Sequence, residues 1–219
     1  MHNDRGKTVH APQQERSKLT AERILAAAEQ VLASATYANF SMTLVSTCSG
    51  LSIGGLYARF PNKEALLREV KNDVLLKLEG ELKEGLCGAQ DLTSTIRSFV
   101  RTLSDSFASC QHLYAFIFTH SAGDSRMRER GFIFHRRAKH LFTNSVLRNT
   151  STASFSTEKL DMAYEFIVQG LLMRVTSLGS VGSDEYLYDG IPTPRNYSEA
   201  LVEATVLYLT NDKTTSQIG

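Results

Sequence analysis

Histidine and cysteine are the side chains with which this chain could do covalent or metal chemistry, and their spacing argues against both. Of its six histidines, His135 and His140 stand five apart, whereas two ligands on one helix face need a separation of four. The three cysteines (Cys48, Cys87 and Cys110) are an odd number, widely spaced and without a C-x-x-C pair. That pattern opposes a disulfide framework or a zinc knuckle and fits a reducing cytosol. No G-x-S-x-G, H-E-x-x-H, P-loop or dinucleotide fingerprint occurs. No metal, cofactor or catalytic residue is expected, and an enzyme is the remote alternative.

Recognition chemistry is concentrated in one stretch, Ser41 to Lys63: SMTLVSTCSGLSIGGLYARFPNK. It reads as a short helix, a tight turn at Gly50 and a second helix that Ser52 can N-cap. A residue able to take positive φ between two short helices is what a helix-turn-helix requires. Val45, Cys48, Leu51, Leu56 and Phe60 can supply the apolar contact that sets the angle between them. The second helix then exposes Ile53, Gly54, Tyr57, Ala58 and Arg59. Small residues at its start allow close approach to a major groove, and its first amides suit phosphate oxygens. The adjacent Gly54 and Gly55 cost roughly 1 kcal/mol each in a helix, so partial disorder is expected before DNA orders it.

The elements that must position this stretch read as all-α. Pro61 is the sole proline between Pro12 and Pro192, and helix-length apolar periodicity fills most of the sequence between them. Residues 1–17 read as a flexible N-terminal arm. A first helix from about Lys18 to Ala35 carries the face Ile24, Ala27, Ala28, Val31, Leu32 and Ala35. The helix-turn-helix unit is thus 18–62, a connecting helix covers 63–84, and a larger helical body spans 85–219. Gly85, Gly88 and Asp91 mark the break before the body. Its cleanest stripe is Leu92, Ile96, Phe99, Val100, Leu103, Phe107 and Cys110. Further helices are expected over Gln111 to Ser121, Asp124 to Arg148, Glu158 to Leu178 and Tyr197 to Asn211, with Gly179 to Asn196 a loop.

At 219 residues, with 42% hydrophobic and 21% charged side chains, the chain has ordinary globular usage. Its longest apolar run, Leu113 to Phe118, falls far short of the ~20 residues of a membrane helix. Met1 to Ser17 is polar, without an apolar signal core. The net charge of +1 gives no global attraction to nucleic acid, so DNA contact must come from a local surface.

The ordered residues from about Arg23 to Val70 resemble the DNA-binding domain of the TetR family of bacterial transcriptional regulators. Arg23-Ile24-Leu25-x-Ala27-Ala28 resembles the family's first-helix signature, Tyr37 the aromatic at its end, and Gly50-Leu51-Ser52 its turn. Leu56-Tyr57-x-x-Phe60-Pro61-x-Lys63-Glu64-x-Leu66-Leu67 matches its most recognisable segment. Departures fall in the reading helix, where Ile53 replaces a common Lys or Arg and Gly54-Gly55 a Gly-Thr or Gly-Ser. The resemblance implies that Thr43, Ser52 and Lys63 contact phosphate and that Tyr57 reaches backbone or a thymine methyl. Arg59 is the candidate for bidentate reading of guanine, worth ~1 to 3 kcal/mol. Ile53, Gly54 and Gly55 complete the expected DNA-binding set. The plainer readings stay open: Tyr57 as packing, Arg59 as a surface charge, Lys63 as a helix N-terminal residue.

The resemblance further implies a C-terminal body that binds a small effector and forms the dimer. Aromatics are dense from Phe99 to Phe142. The expected effector residues are Phe99, Leu103, Phe107, Cys110, His112, Phe116, His120, Phe134 and His135; an aromatic core without a cavity is the alternative. The basic run from Arg126 to Lys139 could neutralise an anionic effector or be a solvated helix face. For the dimer, Tyr164, Ile167, Val168, Leu171 and Val175 make one stripe and Leu201, Ala204, Thr205 and Tyr208 another. Gly170 would permit close approach there.

The expected function is therefore a cytoplasmic, ligand-responsive transcriptional regulator, a repressor by family analogy. It would bind a palindromic double-stranded DNA operator as a homodimer and be released by a small molecule of unknown identity, with no membrane contact. The alternative is a helix-turn-helix protein with weakened DNA readout that acts through protein partners.

Overall fold

The computed structural model describes residues 13–34, 37–120, 123–150, 155–180 and 193–211. Among them are nine α-helices and no strand: α1 (Gln13–Ser34), α2 (Met42–Ser49), α3 (Ile53–Arg59), α4 (Lys63–Cys87), α5 (Leu92–Ser109), α6 (Gln111–Thr119), α7 (Ser125–Arg148), α8 (Thr157–Ser180) and α9 (Pro194–Thr210), with a short 3-10 turn at Tyr37–Asn39. None of these helices is long and apolar enough to cross a membrane.

Six of the nine helix starts have a local cause. Ser41, Ser52, Asn62, Asp91, Asp124 and Thr193 are extended or non-helical residues whose side chains accept a first-turn amide. Such a cap is worth about 1 kcal/mol. At Asp91 the cap is reciprocal, because Ser94 also bonds back to the Asp91 backbone.

Helix α1 packs on α2, α4 and α6, while α4 runs from the small N-terminal unit into the body, where it meets α5 and α7. Ile24, Ala28, Leu32, Val45, Leu56, Leu66 and Val70 close the N-terminal core. The expected α5 stripe is realised: Ile96, Phe99, Val100, Leu103 and Phe107 are all buried. In the body α6 lies on α8, and α5 on α9.

Several expected boundaries move. Helix α1 starts at Gln13, so residues 13–17 are helix rather than arm, while 1–12 and Ala35 lie outside the described residues. Helix α4 continues to Cys87 through Gly85. Gly85 is there for proximity: a Cβ on it would sit 2.6 Å from Thr102 Oγ1 of α5, and Ser98 Oγ donates to its carbonyl at 2.5 Å. Of the expected loop 179–196, both ends are helical and 181–192 lie outside the described residues. Gly54 and Gly55 stand in an intact α3 rather than a frayed one.

The basic run of α7 divides: Arg126, Arg128, Arg136 and Arg137 lie on an exposed face, while Arg130 and Lys139 are half-buried in ion pairs. Arg130 Nε donates to Asn72 Oδ1 at 2.8 Å, and Arg130 and Arg137 both meet Glu79 at 2.9 Å. Arg68 reaches Asp124 Oδ2 at 2.7 Å, and Lys139 faces Asp161 and Glu165 of α8. Lys71, 3% exposed, donates to the Ile117 carbonyl at the end of α6 over 2.8 Å. Arg68, Lys71, Arg130 and Arg137 fasten α4 to the α6–α7 corner. Burial pushes the Lys71 ammonium down to about 8, helped by Arg130 and opposed by Asp124. The Met127 amide, then burial in opposition and the Arg68 guanidinium, leave the Asp124 carboxyl below its ordinary value.

Candidate nucleic-acid interface

The turn between α2 and α3 is fixed by one glycine and two serines. Gly50 has φ 63°, the left-handed conformation that L side chains rarely adopt. It also faces Arg23, whose Nη2 would be 2.8 Å from a Cβ at that position. Ser46 Oγ donates to the Leu51 carbonyl at 2.6 Å, closing the turn from the α2 side. Ser52 Oγ accepts the Gly55 amide at 3.1 Å. Val45, Leu56 and Phe60 are buried between the two helices. Cys48 is not part of that contact: it is exposed, and its thiol donates to Gln30 Oε1 of α1 at 3.1 Å.

With Leu56 and Phe60 turned inward, α3 presents Ile53, Gly54 and Tyr57 outward. Ile53 is 42% and Tyr57 48% exposed, a large apolar area to leave in water without a partner. Gly54 has open space where a Cβ would go, so a flat surface can approach the backbone there. Thr43 is exposed in the first turn of α2. Thr43, Ser52, Ile53, Gly54, Gly55 and Tyr57 are thus all accessible around one helix-turn-helix. This is the shape of a helix that enters a major groove while its neighbour crosses the phosphate backbone.

Two expected contacts are engaged elsewhere. Arg59 Nη1 donates to Ser17 Oγ at 2.7 Å, an acceptor supplied by the early start of α1. The other guanidinium donors of this exposed side chain remain available for a base. Lys63 Nζ donates to the Phe40 carbonyl at 2.9 Å and lies 4.2 Å over the Tyr37 ring. Partial burial, against the nearby Glu64 charge, holds its ammonium below the usual lysine value. Lys63 is a clasp for the 37–40 segment in this geometry, not an outstretched phosphate ligand.

Residues 24–70 match the family model of bacterial regulatory proteins, tetR family. The likeness to the TetR family at the level of sequence rests on this domain. The chain's overall fold is also that of TetR-family structures. A TetR regulator from Rhodococcus sp. RHA1 is 19% identical with a TM-score of 0.59, over 90% of this chain and 98% of that one. The fatty acid degradation regulator FadR of Bacillus halodurans is 16% identical with a TM-score of 0.66, over 89% and 96%. FadR of Bacillus subtilis, solved in complex with stearoyl-CoA, is 13% identical with a TM-score of 0.65, over 86% and 97%. At such identities the likeness is one of fold. No curated protein sequence matches the chain. TetR-family proteins are DNA-binding transcriptional regulators rather than enzymes, and the described residues here are likewise helical without a strand.

In the helical body the expected effector residues separate into four groups. Phe99, Leu103 and Phe134 are buried, and Phe99 packs on Phe142 and Tyr164 at 5.0 and 6.0 Å between ring centres. Phe116 stacks on Tyr37 at 5.4 Å, with His120 against both, so these two join the body to the N-terminal unit. Cys110, His112 and His135 are half-buried; His135 Nδ1 is 3.1 Å from the Tyr164 hydroxyl, which donates to the His135 carbonyl. Burial lowers the His135 pKa and raises that of the Cys110 thiol. Phe107 alone of the nine lines a cavity of about 190 Å³ with Ser104, Ala108, Gln111, Leu171, Arg174, Val175 and Tyr197. The sequence signal for those partners was weak, because they come from α5, α6, α8 and α9 at scattered positions.

The expected dimer stripe is also reassigned. Tyr164, Ile167, Val168, Leu171 and Val175 are at most 5% exposed within the single chain, and Thr205 is 1% exposed. They face α6 and the rest of the core and cannot meet a second copy. Gly170 admits Tyr197 of α9, whose hydroxyl would be 2.5 Å from a Cβ there. The exposed face of α8 lies about half a turn away. It carries Met162, Phe166 and Met173; these and Leu207 of α9 are each 46% to 67% exposed, with Ala204 exposed and Leu201 and Tyr208 half-buried beside them. Phe166 and Tyr208 meet edge to face at 5.1 Å.

Proposed function

We propose that this regulator is a homodimeric repressor that binds a palindromic operator and is released by a small-molecule effector in a bacterial cytoplasm. The exposed α3 surface of Ile53, Gly54 and Tyr57 carries the reading. Thr43 and the amides that follow Ser52 hold phosphate, Gly54 and Gly55 allow close approach, and Tyr57 and Ile53 meet bases or thymine methyls. Arg59 and Lys63 act mainly by fixing α3 and the 37–40 segment. The unit up to residue 62 reads DNA, α4 connects it, and the following body carries effector and dimer surfaces.

Met162, Phe166, Met173, Ala204, Leu207 and Tyr208 form the two-fold contact, an apolar face too large to leave in water. The dimer places two α3 helices one DNA turn apart, about 34 to 36 Å. An effector that binds the body better in a different dimer spacing weakens DNA binding by its differential affinity, typically ~1 to 3 kcal/mol. The packing of Phe116 and His120 on Tyr37 supports a path from body to reading head. The stearoyl-CoA complex of the Bacillus subtilis FadR supports an effector in a body of this fold.

Fluorescence anisotropy on the DNA upstream of the protein's own gene, over a salt series and beside Tyr57→Ala, tests the reading. Specific binding that the variant loses is expected. Binding no better than to random DNA at every site tried would favour the partner-protein alternative.

A further inference from the structure

We infer that the 190 Å³ cavity of the body takes a small aromatic carboxylate, a single ring bearing one anionic group. This rests on the effector reading above and names the ligand class for it.

Size sets the first limit. An apolar cavity of ~150 Å³ accepts benzene, and drug-sized ligands occupy ~300 Å³ or more. A volume of about 190 Å³ therefore suits one ring and a short polar substituent and is too small to enclose a whole long acyl chain. The walls set the second. Phe107, Ala108, Leu171 and Val175 are apolar, and the Tyr197 ring closes one side.

The third limit is charge. Arg174 is the one ionisable cation or anion among the eight lining residues, so the wall carries positive charge and no carboxylate. Its guanidinium lies 4.7 Å over the Tyr197 ring. A guanidinium has five donors in a rigid fork, enough to serve a carboxylate in addition to its other interactions. Ser104 and Gln111 add neutral polar groups at the rim.

The unit is built rather than incidental. Gly170 stands one helical turn before Arg174 on α8, and its missing side chain is what lets the Tyr197 hydroxyl seat against the helix. That seating presents the Tyr197 ring both to Arg174 and to the cavity. Ser198, the next residue, donates to Ser104 Oγ at 2.8 Å and pins α9 to α5 at the same place.

The test is isothermal titration of the full chain with benzoate, benzyl alcohol and hexadecanoate. Benzoate is expected to bind at least tenfold more tightly than benzyl alcohol. Arg174→Gln should remove that preference, weakening benzoate at least tenfold more than benzyl alcohol. Ala108→Leu, at an exposed position, should fill the cavity and weaken both ring compounds tenfold or more. Equal binding of benzoate and benzyl alcohol, or tightest binding of hexadecanoate, overturns the inference. Both variants are first checked for an unchanged helical circular-dichroism spectrum. An operator titration with each compound separates this inference from the effector reading. Benzoate that binds yet leaves DNA affinity unchanged refutes the effector role and keeps the site. DNA release by hexadecanoate but not by benzoate keeps the effector role and refutes the ligand class.

Discussion

The Lys63 ammonium sits 4.2 Å from the centre of the Tyr37 ring and donates to the Phe40 carbonyl. Tyr37 in turn stacks on Phe116 of the body. A residue that by position looks made for phosphate is thus part of the joint between the two halves of the molecule. A cation over an aromatic ring and a charged hydrogen bond are each worth about 1 kcal/mol. Lys63→Met is expected to lower stability by about 1 to 2 kcal/mol in urea unfolding. The slope of DNA affinity with salt should stay unchanged; a phosphate contact would reduce it by about 0.9.

Two glycines of the helix-turn-helix should respond oppositely to alanine. At Gly50 the left-handed φ and the Arg23 guanidinium both oppose a side chain, so Gly50→Ala should cost 1 to 2 kcal/mol or more, about the αL penalty alone. Gly54 is helical with open space beside it, so Gly54→Ala should stabilise by about 1 kcal/mol. Urea midpoints of the two variants check both signs. If Gly54 faces the groove, the stabilised variant will bind DNA more weakly.

Replacing Phe166 or Leu207 by Glu should yield a folded monomer, since both are about half or more exposed in the single chain. Leu171→Glu should instead unfold the protein, because Leu171 is 4% exposed and an unpaired charge there costs several kcal/mol. Sedimentation velocity separates the outcomes. A dimeric Phe166→Glu, Leu207→Glu double variant would move the two-fold contact elsewhere.

Lys71 gives a pH signature. Its folded value is about 8 against an ordinary 10.5, so between these the unfolded chain holds the extra proton. Stability from this group therefore rises as pH rises from 8 to 10.5, by at most about 1.4 kcal/mol per pH unit. Below pH 8 the full cost of burying the cation is present. Urea unfolding of wild type and Lys71→Met at pH 7, 9 and 10 should show the wild type gaining on the variant across that window. A constant difference would contradict the assignment.

Local signals account for what was legible in the sequence. Gly50 and Ser52 advertise a turn and a cap regardless of what surrounds them, and α5 has a single apolar stripe that leaves no choice of buried face. Helix α8 carries apolar residues on two opposite faces with polar ones between them. Periodicity found the stripe Tyr164, Ile167, Val168, Leu171 and Val175 but could not say whether the chain or a second copy covers it. Met162, Phe166 and Met173 are separated by four and seven residues, the same helical spacing, and only the position of α6 decides between the faces. The contacts of Arg59, Lys63 and Gly170 were illegible for a related reason. Their partners Ser17, Phe40 and Tyr197 lie 42, 23 and 27 residues away, and no local pattern reports a contact at that distance.

The central claim, a dimer that reads DNA through α3, is tested most directly by selecting binding sites from random duplexes with the purified full chain. The account predicts a palindrome whose half-site centres lie one helical turn apart, or a multiple of it. Tyr57→Ala should lose the enrichment while keeping wild-type stability. Recovery of no enriched sequence at low salt, from protein shown to be folded and dimeric, would contradict it.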